Sequence, residues 1–118
     1  MNANLTSSFL PLSPAILHIL LALAADDLHG YAIMQEIAQH SQGQYKIGPG
    51  TLYDNLQKMM TQGLVEESRR AGRDEDPRRR YYRMTSLGRG VLAAEVDRLE
   101  DILRQAKAHL RLAHGRRS

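Results

Sequence analysis

Apolar residues recur at helical spacing in several stretches of the chain. Ile16, Leu17, Ile19, Leu20, Leu21 and Leu23 cover nearly the whole circumference of one helix, which therefore needs cover on more than one side. Ser13 is placed to accept from its first turn and Pro14 suits the first helical position, so the start is marked, and the pattern runs to about Ala25. Asp26-Asp27-Leu28-His29-Gly30 interrupts it. Tyr31, Ile33, Met34, Ile37 and Ala38 then resume helical spacing to about His40 and predict a second, amphipathic helix. After a turn at 41–43, Gln44-Tyr45-Lys46-Ile47 is a candidate short strand. The first ten residues have no firm period, but Leu5, Phe9 and Leu10 are more apolar than a solvated tail needs, which points to a short helix or arm packing on a partner.

A third helix is punctuated at both ends. Gly48 caps it, Pro49 opens it without losing a needed N–H, and Gly63 stops it in a left-handed conformation. At about 100° per residue Leu52, Leu56 and Met59 share one face, while Thr51, Asp54, Gln57, Lys58 and Thr61 share the other. The outward face is short, polar and able to hydrogen-bond. Two strand candidates follow, Leu64 to Arg70 and Arg79 to Met84, with Gly, Asp and Pro between them as in a long polar hairpin tip. Tyr81 and Tyr82 alternate across the second strand, which places one inward and one outward. From Ser86 to about His114 the chain reads as one long helix, capped by Thr85 or Ser86. Leu92, Val96, Leu99, Leu103, Ala106, Leu110 and Ala113 alternate four and three apart along it, as in the seam of a coiled coil. No partner of equal length exists within the chain, so the seam is expected to pair with its copy; the alternative is a helix lying across its own domain. The predicted fold class is mainly α with a small β-hairpin: a winged helix-turn-helix plus a long C-terminal dimerisation helix. The predicted division is residues 1–85, with the N-terminal arm, and 86–118, ending in a frayed tail.

Charge sharpens this picture. The chain of 118 residues carries a formal +3, and its arginines concentrate after residue 68. Arg69, Arg70, Arg73, Arg78, Arg79, Arg80 and Arg83 stand in the hairpin against Asp74, Glu75 and Asp76. Such a loop is either solvated, with its charges paired among themselves, or a positive probe for phosphate or a narrow minor groove. A neighbouring recognition-like helix favours the second. Cysteine is absent, which excludes disulfides, thiolate metal sites and cysteine nucleophiles. Residues 1–8 lack Lys and Arg, unlike a signal peptide, and the apolar run at 15–25 is too short for a bilayer; a soluble cytoplasmic protein without membrane contact is the expectation.

Several segments, in order, resemble the PadR family of winged helix-turn-helix regulators. They are Leu12-Ser-Pro-Ala-Ile-Leu17, His29-Gly-Tyr31, Gly50-Thr-Leu-Tyr-Asp-Asn-Leu56, Gly63-Leu-Val65 and Arg80-Tyr-Tyr-Arg-Met-Thr85, and the single short C-terminal helix is similar to the smaller branch of that family. The resemblance implies double-stranded DNA as partner, a homodimer joined through the C-terminal helices, and usually a repressor. Two positions depart from the pattern. Asp54 stands where the family often has proline; it either accepts from a cytosine amino group or simply favours the helix dipole. Met60 replaces a commonly charged residue and is either extra core or an exposed contact.

Within this reading Thr51, Gln57 and Lys58 form the major-groove face. Tyr53 and Asn55 flank it as phosphate contacts, with partial burial of Tyr53 as the competing role, and Arg69, Arg70, Arg73, Arg78, Arg79 and Arg80 supply the basic wing. Leu92, Val96, Leu99, Leu103, Ala106 and Leu110 are the dimerisation residues. The family often responds to small molecules, so an apolar or aromatic effector is a possible partner. With no Trp and a single Phe, the candidate pocket is apolar rather than an aromatic sandwich: Phe9, Leu12 and Ile16, together with the C-terminal helix. A competing class is a protein-interaction adaptor that works through the C-terminal helix with non-specific or no DNA binding. An enzyme is disfavoured, because His18, His29, His40, His109 and His114 show no metal-ligand spacing beside acids and neither a phosphate loop nor a nucleophile motif is present; cofactors and metals are expected to be none. His18, on an apolar helix, reads as a hydrogen-bonded core or interface histidine, and Glu95 and Arg98 as part of a solvated face.

Overall fold

The computed structural model describes residues 3–69 and 79–117, with side chains described between 5 and 111. Its elements are α1 (Ala3–Ser7), α2 (Pro14–Leu23), β1 (Leu28–His29), α3 (Gly30–His40), α4 (Pro49–Thr61), β2 (Val65–Ser68), β3 (Tyr81–Met84) and α5 (Ser86–Arg117).

Ser13 begins α2 as expected, its Oγ accepting from Ile16 N–H at 3.3 Å with Pro14 in the first turn. Helix α2 is central and packs against α3, α4, α5 and β3. Ile16, Ile19, Leu20, Ala22 and Leu23 are buried, leaving Leu21 as its exposed large apolar residue. Against it α3 sets Ile33 and Ile37, and α4 sets Leu52, Leu56 and Met59, all essentially without solvent contact. Burial of a side chain of this size stabilises by about 1.5–3 kcal/mol, so these residues hold α4 by one face and leave the other free. Gly48 caps α4 and Pro49 opens it; Gly63 ends it at φ +80°, a conformation costly for any side chain.

The sheet corrects the expected hairpin. Three antiparallel strands run in the order β1-β3-β2, with Leu28 opposite Tyr82, and Glu66 opposite Arg83. Two residues are too few for a visible period of two, so β1 is read from sequence as a mere interruption. Conversely, 44–47 is not a strand: Ile47 is buried and Tyr45 half-buried, but Tyr45 N–H donates to Ser41 Oγ rather than to a neighbouring strand. Tyr82 is the buried member of the tyrosine pair, and Tyr81 is partly exposed.

A cluster of bonds ties the end of α4, the wing and α5 together. Thr85 N–H donates to Leu64 O at 3.1 Å and Thr85 Oγ1 to Gly63 O at 2.5 Å, while the same oxygen accepts from Gly88 N–H at 3.0 Å and so caps α5. Gly88 lies so close to the Leu64 carbonyl that a Cβ there would overlap it. Arg89 reaches back to Ala24 O at 3.1 Å and fixes the end of α2.

Two further expectations fail at the start of α5. Its first turns belong to the core: Val91 and Leu92 are buried, and Glu95, expected on a solvated face, is 1% exposed. The Glu95 carboxylate accepts from Arg98 Nε at 2.5 Å, from Arg98 Nη2 at 3.1 Å and from Leu12 N–H at 2.9 Å. This latch holds the N-terminal arm on α5, and α1 packs on α5 of the same chain. Beyond Glu95 the helix projects; its 32 residues span roughly 48 Å.

Candidate nucleic-acid interface

Because Leu52, Leu56 and Met59 anchor α4 inward, Thr51, Asp54, Gln57 and Lys58 are carried outward and are exposed. Helix α3 precedes α4 and packs on it, the arrangement of a helix-turn-helix with α4 as the second helix. Asn55 differs from the expectation: it is half-buried, and its Nδ2 donates to Thr51 O at 2.8 Å, which ties its donor to the helix itself. Thr61 similarly donates to Gln57 O at 3.1 Å. Met60 is partly buried against the core, the packing alternative for that position.

Tyr53 takes the packing role weighed for it while staying partly exposed. It is 47% exposed, yet its ring lies across the start of α3, where a Cβ on Gly30 would approach its Cζ to 2.8 Å. The glycine of His29-Gly-Tyr31 is therefore a close-approach residue. His29 caps α3, its Nδ1 accepting from Ala32 N–H at 3.2 Å, and its ring meets Tyr81 edge-on at 5.3 Å. Tyr53 and the wing enclose a cleft of about 470 Å³ whose lining also includes His29, Tyr31, Arg79, Arg80 and Tyr82. Burial, followed by the nearby Tyr53 and Glu67, pushes the Tyr82 phenol above its ordinary value and keeps it neutral.

The wing is less positive than an arginine count implies. Arg83 Nε donates to Glu66 at 3.1 Å and Arg80 stands 3.6 Å from Glu67, so two acids absent from the sequence tally offset two of the arginines. Both pairs are exposed and worth little, so phosphate competes with them readily. Asp27 accepts from Ser68 Oγ at 2.5 Å and pins the outer strand. Arg69 is exposed at the end of β2, and Arg79 and Arg80 at the start of β3. Arg70, Arg73 and Arg78 lie outside the described residues.

Leu92 is removed from the expected dimer seam, since it faces the chain's own core at 8% exposure. The exposed stripe begins at Val96 and continues through Leu99, Leu103, Ala106 and Leu110; Ile102, which the a/d spacing passes over, is exposed beside it. Phe9, Leu12 and Ile16 do line one cleft, of about 310 Å³, with Pro11, Lys58, Gln62 and Leu64 around them. Its further wall is the end of α4 and the following Leu64, not α5 as expected, because the arm runs across the α2–α4 junction before the latch. His18 stacks on Tyr45 at 4.6 Å, and its buried Nδ1 lacks a hydrogen-bond partner among the described residues, contrary to the hydrogen-bonded role expected of it. Among the described residues no cluster of His, Cys, Asp and Glu fits a metal ion, and no helix is long and apolar enough to cross a membrane.

A helix-turn-helix with an outward polar second helix, a three-stranded wing and a long C-terminal helix defines a winged helix-turn-helix protein. The model of the transcriptional regulator PadR-like family matches residues 16–94. The chain is 36% identical over 89 residues to the transcriptional regulator Rv3488 of Mycobacterium tuberculosis, covering 75% of this chain and 78% of that one. Its fold is similar to a PadR family transcription regulator from Clostridium difficile (TM-score 0.69, 22% identity, 83% of this chain and 99% of that) and to a PadR-like regulator from Bacillus cereus (TM-score 0.68, 19% identity, 92% and 97%). The chain belongs to the PadR-like family of transcriptional regulators, a family of DNA-binding proteins and not of enzymes.

Proposed function

We propose that the protein is a repressor that binds a pseudo-palindromic operator as a homodimer in the cytoplasm, and that a small apolar or aromatic effector releases it. The observation that carries this reading is the exposed polar face of α4 beside the wing, with Thr51, Gln57 and Lys58 unobstructed. Thr51 and Gln57 read base edges, and Lys58 neutralises phosphate. The stripe from Val96 to Leu110 pairs with its copy, which sets two α4 helices about 34 Å apart in successive major grooves. Functionally the chain then divides near residue 95, with the reader and wing before it and the dimer helix after it. The cleft at Phe9, Leu12 and Ile16 supports the effector role, because Lys58 lines it too and an occupant there touches the reading helix directly.

The test is fluorescence anisotropy with a duplex selected from random DNA, across a salt series. Lys58→Ala is expected to weaken binding and to lower the salt slope by about one. Unchanged affinity and slope would remove Lys58 from the interface.

A further inference from the structure

The charged side chain at the centre of the outward face of α4 does nothing for the fold. At about 100° per residue Asp54 points within about 15° of the direction opposite Leu52, Leu56 and Met59, with Gln57 and Lys58 about 50° to either side. Among the described residues its exposed carboxylate has neither a hydrogen bond nor an ion pair, not even to Lys58 one turn on. It is the sixth residue of a helix that opens at Pro49, beyond the first turn in which an acid gains from the helix dipole. The dipole role open to it from sequence therefore falls away. Its neighbours on that face leave it free to reach outward. Gly50, one turn earlier, carries no side chain and has open space around it, and the Thr61 hydroxyl, two turns later, is turned back to Gln57 O.

An ionised carboxylate only accepts hydrogen bonds, and beside a duplex every phosphate repels it. The floor of the major groove offers it one match. Cytosine presents its N4 amino donor with no acceptor of its own beside it. Guanine presents N7 and O6 and thymine O4, all acceptors, and adenine sets its N6 donor next to the N7 acceptor. We propose that Asp54 determines sequence specificity, its carboxylate accepting from the amino group of one cytosine in each half-site. The inference rests on the DNA-binding reading and deepens it. Much of the selection comes from rejection: with any other base at that point the carboxylate faces an acceptor, so wrong sites are excluded as well as the right one held.

The experiment selects duplexes from random DNA with the full chain as wild type, Asp54→Ala and Asp54→Asn. Each protein is then titrated by anisotropy on the wild-type duplex and on the same duplex changed at one base pair. Asp54 is exposed and without a partner, so both variants are expected to melt with the wild type. The wild type should select one C·G pair per half-site that Asp54→Ala does not select, with the rest of the motif shared. Exchanging that pair should weaken wild-type binding about five- to a hundredfold and Asp54→Ala binding less than about twofold. Asp54→Asn, whose amide both donates and accepts, should select an A·T pair there. On unrelated DNA both variants should bind more tightly than the wild type, because a charge that phosphate repels is gone. The same C·G pairs in all three motifs would overturn this inference while leaving DNA binding intact, and so would release by Asp54→Ala of a pair other than C·G. A wild-type chain that binds no duplex would overturn the DNA reading and this inference with it.

Discussion

Replacing Glu95 tests whether the N-terminal arm is held to α5 by a buried charge. Glu95→Gln keeps the side-chain volume but offers one oxygen and one NH2 where the carboxylate offers two oxygens, so either Leu12 N–H or Arg98 then faces a donor. A buried amide left without an acceptor costs about 1–3 kcal/mol. The Arg98 half adds little, because that side chain is 35% exposed and turns to water. The expected loss is about 1–2 kcal/mol near neutral pH. Its pH dependence has a definite sign. The Arg98 hydrogen bond, opposed by burial and aided by Leu12 N–H, holds the Glu95 carboxyl below its ordinary value. A group with a depressed folded value stabilises fully above its unfolded value and loses that contribution as pH falls through the folded one. The wild-type advantage over Glu95→Gln is therefore full at neutral pH and shrinks below about pH 4.3. Urea unfolding at one fixed protein concentration, repeated from about pH 7 to about pH 3, measures it. Equal stability at neutral pH, or a difference that widens in acid, would refute the latch.

Two glycines should respond in opposite ways. Gly88→Ala places a methyl group against the Leu64 carbonyl and 2.9 Å from Met84 Cγ, which cannot both yield, so thermal melting should show a loss of about 1–3 kcal/mol despite the better helix former. At Gly30→Ala the atoms nearest the new methyl group belong to the outer part of the half-exposed Tyr53 ring, which can swing outward; stability should change by less than about 1 kcal/mol while DNA affinity falls, as read by anisotropy. Leu99→Asp with Leu103→Asp should give a monomer in sedimentation, since unpaired charges are not buried on such a seam; a dimer mass would move the interface elsewhere.

Elements whose ends are written in Ser, Pro and Gly, and whose faces repeat at helical spacing, were legible: α2, α3, α4 and α5 fall near the boundaries those signals mark. What escaped depends on the third dimension. The pairing of Leu28-His29 with Tyr81-Tyr82 is fixed by a strand some fifty residues later, about the separation of His29 from Arg79 (50). Glu95 has the composition of a surface residue and is buried because Leu12 N–H and Arg98 meet there, a conjunction no local pattern encodes. Leu92 fits the heptad as well as Leu99 does; only the packing of α2 over the start of α5 separates core from seam. At the site, the outward face of α4 followed from spacing alone. The wing's partial neutralisation had a visible signal in Glu66 and Glu67 of β2, two consecutive acids across the hairpin from Arg83 of β3 and from Arg80 just before it. The cleft at Tyr31 carried a signal only in Gly30, whose need for a bare Cα becomes plain once Tyr53 lies over it.

If two copies of α4, set by the α5 stripe, read one operator, genome-wide capture of DNA bound by the protein should return an enriched sequence made of two inverted half-sites whose centres are about 10 base pairs apart. Capture of DNA without an enriched motif, or of single half-sites without an inverted mate, would contradict that arrangement.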